Sequence, residues 1–230
     1  MNLELTDILT KSTPLFHPVI KFDKEKDKLC LLDFTDQNEE LKNINLINTD
    51  DFSEYINQQL KAKHCKFGIG GYKEKRVLYN RSQLFTGHEP RNFHLGIDVW
   101  GEIGTTVMAP LGGMVHSFGF NNNFGDYGAT IILQHQIETI NFYTLYGHLS
   151  VADITYLRKG SVITRGEKFA HFGTPAENGN WPPHLHFQVI KNMWEYDGDY
   201  PGVCSLKEVN KFLRNSPDPD LILNMMKYTQ

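Results

Sequence analysis

Trp181-Pro182-Pro183-His184-Leu185-His186-Phe187-Gln188-Val189-Ile190 is the stretch around which the rest of the chain is read. Its apolar, β-branched and aromatic residues follow two prolines that interrupt any helix arriving from upstream, and they predict a strand over His184 to Ile190. Side chains two apart on a strand share a face. His184 and His186 therefore project together, while Leu185 and Phe187 turn to the other side, where a core would take them.

Two imidazoles on one face invite a metal ion, and a zinc ion that does chemistry takes three protein ligands and leaves one position open to water. Upstream, Asn92 to Trp100 carries His94 and Asp98 four residues apart among Gly96, Ile97 and Val99. That composition is poor for a helix and predicts a kinked or bulged extended segment. Between the two stretches, Tyr143 to Ser150 brings His148 to the end of another strand-like run.

Length and composition set the frame. The 230 residues, 40% hydrophobic and 22% charged, allow one sizeable core or one domain with an appendage. A net charge of -4 and a pI near 6.2 give no electrostatic reason to expect nucleic acid or an anionic membrane as partner. No run approaches the length of a membrane span, and the N-terminus lacks a basic stretch followed by an apolar one. Cys30, Cys65 and Cys204 are odd in number and widely spaced, which fits reduced thiols. Both observations favour the cytoplasm.

Residues 1–66 read as an N-terminal α/β appendage. Leu3, Leu5, Ile8 and Leu9 predict a short helix before Pro14, and Leu29 to Phe34 a strand. Phe52, Tyr55, Ile56 and Leu60 predict a helix capped by Thr49 or Asp50. Either of two roles suits this segment, supporting the sheet or blocking a groove. At Phe67 to Tyr72 glycine begins to punctuate the chain; Gly68, Gly70 and Gly71 lack the spacing of a phosphate loop and read as a tight turn. Strands are expected over Met114–Phe118, Ala129–His135, Asn141–Leu145, Phe169–Phe172 and His184–Ile190, with no long helices between them. The fold class that follows is mainly β, a β-rich α+β chain built on antiparallel sheet. After residue 204, Ser205 and Glu208 form a capping-box pattern ahead of an apolar stripe at Leu206, Val209, Phe212 and Leu213, a helix that Asn215-Ser216-Pro217 ends.

The order of blocks, HxxxD at His94 and Asp98, Tyr146 to Ser150, then HxH at His184 and His186, resembles the lysostaphin/LytM-type zinc endopeptidases. The likeness extends through Ala109 to Val115, Gly125 to His135 and Gly166 to Ala170, and covers about residues 67 to 192. It implies a β-sandwich-like peptidase domain over 67–204, with a C-terminal helix and tail over 205–230 packed on it. It further implies one zinc ion per chain on His94, Asp98 and His186, with His148 and His184 beside it to move the proton and to stabilise the oxyanion, in either order. Tyr146 would border the substrate groove, and Trp181 its rim. The implied substrate is a peptide or peptidoglycan fragment; another amide-bearing metabolite, or a peptide-binding module without catalysis, are the alternatives. The Trp181 to His186 and Asp199 to Cys204 stretches resemble a leaderless subgroup, whose related domains are attached to class III aminotransferase-like enzymes.

Some residues depart from the family pattern. Gly173 to Pro183 is longer than the usual approach to HxH and carries an indole, Leu111 stands where an acidic residue often precedes glycine, and Phe120 to Phe124 is an asparagine-rich loop expected to overhang the groove. His17, His64, His88, His116, His135 and His171 match no functional position and read as structural or surface residues, although His116 and His135, in strands, are placed to reach the cleft. Cys65 beside His64 is a poor thiol nucleophile, because neighbours on a strand face opposite ways.

Overall fold

Alternating apolar positions between residues 113 and 149 build three long neighbouring strands, and the remaining elements are arranged on them. The computed structural model describes residues 4–229. In chain order the first half contains α1 (Leu5–Ser12), β1 (Leu29–Leu31), α2 (Thr49–Ala62), β2 (Phe67–Gly70), β3 (Arg91–His94), β4 (Ile97–Trp100) and β5 (Thr106–Met108). There follow β6 (Gly113–Asn121), β7 (Gly128–Ile137), β8 (Ile140–Leu149), α3 (Val151–Thr155), β9 (Val162–Ile163) and β10 (Lys168–His171). The chain closes with β11 (His184–Ile190), β12 (Val203–Ser205), α4 (Val209–Asn215) and α5 (Asp220–Leu223).

The main sheet has eight strands in the order β1-β2-β4-β11-β8-β7-β6-β9. All its pairs are antiparallel except β1 with β2, so the sheet is mixed at one edge. Two small antiparallel sheets, β5 with β10 and β3 with β12, complete the strand pairing. The strand-rich class expected from the sequence is what the structure shows.

Alternation along β11 divides the molecule. Leu185, Phe187 and Val189 enter a core with Val107 of β5 and Ala170 of β10, to which α1 adds Leu5 and Leu9 and α5 adds Ile222 and Leu223. Ile190 faces the other way, into a second cluster with Leu145, Ile132 and Phe212 of α4. His184 and His186 are on that second side.

Several local readings change. Phe67 to Gly70 is a strand inside the sheet instead of a turn, because Gly68 sits against Leu32, where a side chain would collide. The second helix is capped by Asn48, whose side chain accepts from the amides of Asp50 and Asp51, and not by Thr49 or Asp50. Ser205 and Glu208 bond each other at 3.1 Å without capping, and the helix starts at Val209, leaving Leu206 exposed. Leu3, expected in the first helix, lies outside the described residues. Phe34 and Phe52 pack on Trp100 and Trp181, so residues from the N-terminal segment back the wall that carries the histidines. Among the described residues, no helix is long and apolar enough to cross a membrane.

Candidate metal centre

Sheet register brings the first two site residues together. His186 of β11 stands opposite Asp98 of β4, and His184 opposite Trp100. Directly opposed residues of an antiparallel pair project from the same face, so the pleat alone sets the Asp98 carboxylate beside the His186 ring. The chain breaks at Leu95-Gly96 between β3 and β4, which returns His94 to the same point. Gly96 permits this approach: a methyl group there would lie 2.5 Å from the His186 ring.

Three atoms converge. His94 Nε2 lies 3.0 Å from His186 Nδ1, which is 3.0 Å from Asp98 Oδ1, and the remaining edge, His94 Nε2 to Asp98 Oδ1, is 3.3 Å. All three residues are buried. The outer ring nitrogens face acceptors: His94 Nδ1 is 3.1 Å from the Gly71 carbonyl, and His186 Nε2 is 2.9 Å from Gln188 Oε1. A carbonyl oxygen only accepts, so in each neutral ring the outer nitrogen carries the proton and the inner one presents a lone pair. Two nitrogen lone pairs and a carboxylate oxygen then meet with no proton between them, an arrangement that repels unless a cation sits at its centre. A tetrahedral zinc with bonds of about 2.0–2.1 Å spaces its ligand atoms about 3.3 Å apart, which the triangle fits. Burial and the nearby Arg76 push His94 down to about 4, so the ring is neutral near pH 7, as a ligand must be. Burial opposes ionisation of Asp98, yet His94 and Arg76 hold its carboxyl well below the usual range.

His148 and His184 form a second pair beside this triangle. Their rings are 4.0 Å apart, and His184 stacks on Trp100 at 3.9 Å. His148 Nδ1 donates to the Asn178 carbonyl and His184 Nδ1 to the Pro182 carbonyl, each at 2.8 Å, which leaves both Nε2 atoms as acceptors. Burial pushes His184 down to about 4 and His148 well below its ordinary value, so both are neutral at pH 7. His148 reaches this position through its backbone. It is left-handed, with φ 64, beside a break in the β7–β8 register between Ala129 and Ile131. Such irregularities re-aim a side chain.

The same irregularity corrects the reading of Tyr146. Its ring packs on Phe169 and Phe187 in the core, fully buried, and its hydroxyl meets Thr144 at 3.0 Å, so it borders no groove. Trp181 lines the cavity above the histidines, with the Arg81 guanidinium 4.5 Å from its ring. That cavity, about 310 Å³, is lined by residues from Leu78 to Val203 and has Asp98, His148, His184 and His186 among its walls. Among the described residues of the N-terminal segment none lines it, and Phe34 and Phe52 pack against Trp100 and Trp181 of its wall. Phe124, in the asparagine-rich loop, stacks over Arg81, and its neighbour Gly125 lines the cavity.

The sequence reading missed four contributors. Tyr127 places its hydroxyl 3.3 Å from His186 Nε2, filling space left by Gly147, where a side chain would strike its ring. Arg76 bonds the second oxygen of Asp98. Gln188 and the Gly71 carbonyl orient the two ligand rings. Of these only Gln188 left a signal, since it continues the two-residue period of His184 and His186. His135 is buried against the Gly112 carbonyl and Thr144, and His116 bonds Ser117, so neither is at the cavity. Cys65 points at the Lys63 carbonyl, and all three cysteines are free.

Comparison with known proteins places this geometry. Residues 92–198 match the model of peptidase family M23. The catalytic domain of lysostaphin from Staphylococcus simulans is 21% identical over 70% of this chain and 96% of its own, with a TM-score of 0.42. A zinc-containing peptidase from Vibrio cholerae is 26% identical over 52% of this chain, with a TM-score of 0.37, and Helicobacter pylori Csd3 is 26% identical over 54%, with a TM-score of 0.35. This chain spans only 31% and 32% of those two proteins. Comparison with curated protein sequences finds no match. The segment that holds the His-Asp-His triangle and the paired histidines thus matches peptidase family M23.

Proposed function

We propose that this chain is a zinc-dependent peptidase that hydrolyses short peptides, including fragments derived from peptidoglycan. The observation that carries the proposal is the convergence of three buried lone-pair donors, two of which, Asp98 and His186, line one cavity with two neutral imidazoles. A zinc ion held by His94, Asp98 and His186 would supply a Lewis acid that polarises the amide carbonyl and acidifies a water molecule.

The protein's own groups account for the proton. An Nε2 atom of His148 or His184 accepts it from the attacking water, and the resulting imidazolium is stabilised through the Nδ1–H bond to Asn178 or Pro182. Near the reacting carbon the protonated ring can donate its new Nε2–H to the oxyanion and then pass the proton to the departing amine. Burial favours the neutral starting state and makes the protonated one short-lived. The Trp100 face behind His184 and the Trp181 edge fix both rings against rotation and keep bulk water away.

The cavity volume, near the low end for ligand sites, favours a substrate of a few residues. It equally admits a small amide-bearing metabolite, the second reading. The test is elemental analysis of chelator-free protein with Asp98→Ala as control, followed by hydrolysis assays on glycine-containing peptides, muropeptides and small amides. One zinc per chain, lost in the variant, and cleavage of peptides above small amides is expected. No zinc in the wild type would overturn the proposal, and turnover of small amides alone would replace it with the second reading.

A further inference from the structure

The stretch Gly71 to Arg76 lies outside the segment that matches the peptidase family, yet it touches two of the three candidate ligands. Its backbone runs along β3, with the Lys73 amide on the His94 carbonyl at 3.1 Å, the His94 amide on the Glu74 carbonyl at 2.9 Å and the Arg76 amide on the Asn92 carbonyl at 2.9 Å. Gly71 orients the His94 ring through its carbonyl. Arg76 is completely buried beneath Phe34, its Nε donating to Glu74 Oε2 at 2.6 Å and its Nη1 to Asp98 Oδ2. Gly70 makes room for the guanidinium, because a side chain there would collide with Nη2.

We infer that Arg76 is a positioning residue that holds Asp98 as a one-oxygen metal ligand. The inference rests on the metal-centre reading above. An unbraced carboxylate can turn and offer both oxygens to a metal ion. In this site Oδ2 is engaged by a guanidinium whose own position is fixed by Glu74, so only Oδ1 faces the imidazoles. The row Glu74, Arg76, Asp98 and a divalent cation alternates in sign, and each charge is compensated by its neighbours, as buried charges require.

Arg76→Met alone would strand the buried Asp98 carboxylate and the half-buried Glu74, so the informative variants are Arg76→Lys and the charge-balanced pair Arg76→Met with Glu74→Gln. Each is tested in the full chain after replacement of zinc by cobalt(II), whose visible absorption reports coordination number, and by zinc competition against a chromophoric chelator. The wild type is expected to show the intense bands of a four-coordinate ion. The double variant should show weaker bands of a higher-coordinate ion and a loss of affinity of about 10–100-fold, with Arg76→Lys between the two. The inference is overturned if either variant, folded, keeps wild-type bands and affinity. Should the double variant not fold, Arg76→Lys decides alone. A wild type that binds no metal would instead remove the reading on which the inference stands.

Discussion

Gly96→Ala is the sharpest test of the metal centre, because its cost can be worked from contacts. A methyl carbon built on Gly96 lies 2.5 and 2.6 Å from His186 Cε1 and Nε2 and 2.8 Å from the Phe187 carbonyl oxygen. Ordinary contact begins at 3.4 Å, so the ring must retreat by the difference from 2.5 Å, 0.9 Å. The carbonyl cannot yield, since Phe187 is paired with Ile97 on one side and Tyr146 on the other. Metal-ligand bonds tolerate displacements of about 0.2 Å, and a shift several times larger removes His186 from coordination. Losing a ligand should exceed the 10–100-fold effect of disturbing an orienting partner, so affinity falls by about 100-fold or more, roughly 2.7 kcal/mol. Overpacking separately costs about 1–3 kcal/mol of fold stability, a drop in Tm of about 2–12 °C for a chain of this size. Chelator competition and calorimetry, with and without zinc, measure both. Gly112→Ala, whose added carbon would sit at 3.8 Å from its nearest neighbour, serves as the neutral control. Wild-type zinc affinity together with an unchanged Tm in Gly96→Ala would refute the geometry.

Three further outcomes are expected. His148→Ala and His184→Ala should each retain zinc by elemental analysis while kcat/KM falls by about 10²–10⁴-fold, because the proposed mechanism has them move protons without holding the ion; loss of zinc in either would make it a ligand. Trp181→Ala should cost about 3–5 kcal/mol in denaturant unfolding, since the ring is 3% exposed and packs on Phe52, Tyr79 and Arg81; a loss below about 1 kcal/mol would mean that the loop rebuilds. Burial holds His135 at about 4, so as pH falls from 6.5 the unfolded chain takes up a proton that the folded one refuses, and stability is lost. The loss is about 3 kcal/mol at pH 4 from this residue, and His135→Gln should flatten the acid limb of the stability curve; an unchanged limb would show that His135 ionises freely in the folded protein.

Periodicity carried the sequence reading where an element is regular. The two-residue period from His184 to Ile190 put both histidines on one face, and β11 realises it. The break between His94 and Asp98 followed from Gly96 and the branched residues after it, and the chain does divide there into β3 and β4. The strand-rich class was legible for the same reason, because short alternating runs separated by glycine leave few other options. Ends of elements were less legible. Asn48 took the cap from Thr49, and Ser205 and Glu208 bonded each other, because several polar residues at each boundary compete for the same amides.

What the tertiary structure alone decided is how distant segments complete the site. Tyr146, which the resemblance set at the groove, lies in the core, because the irregularity near His148 re-aims one side chain while keeping the other inside. Arg76, the Gly71 carbonyl and Tyr127 act through partners 22, 23 and 59 positions away, and a single sequence does not record which segments meet. The residue types and local spacing determined by the sequence are those that can bind a metal ion and move a proton. Whether their lone pairs point inward depends on hydrogen bonds to the outer atoms, and only long-range packing supplies those bonds.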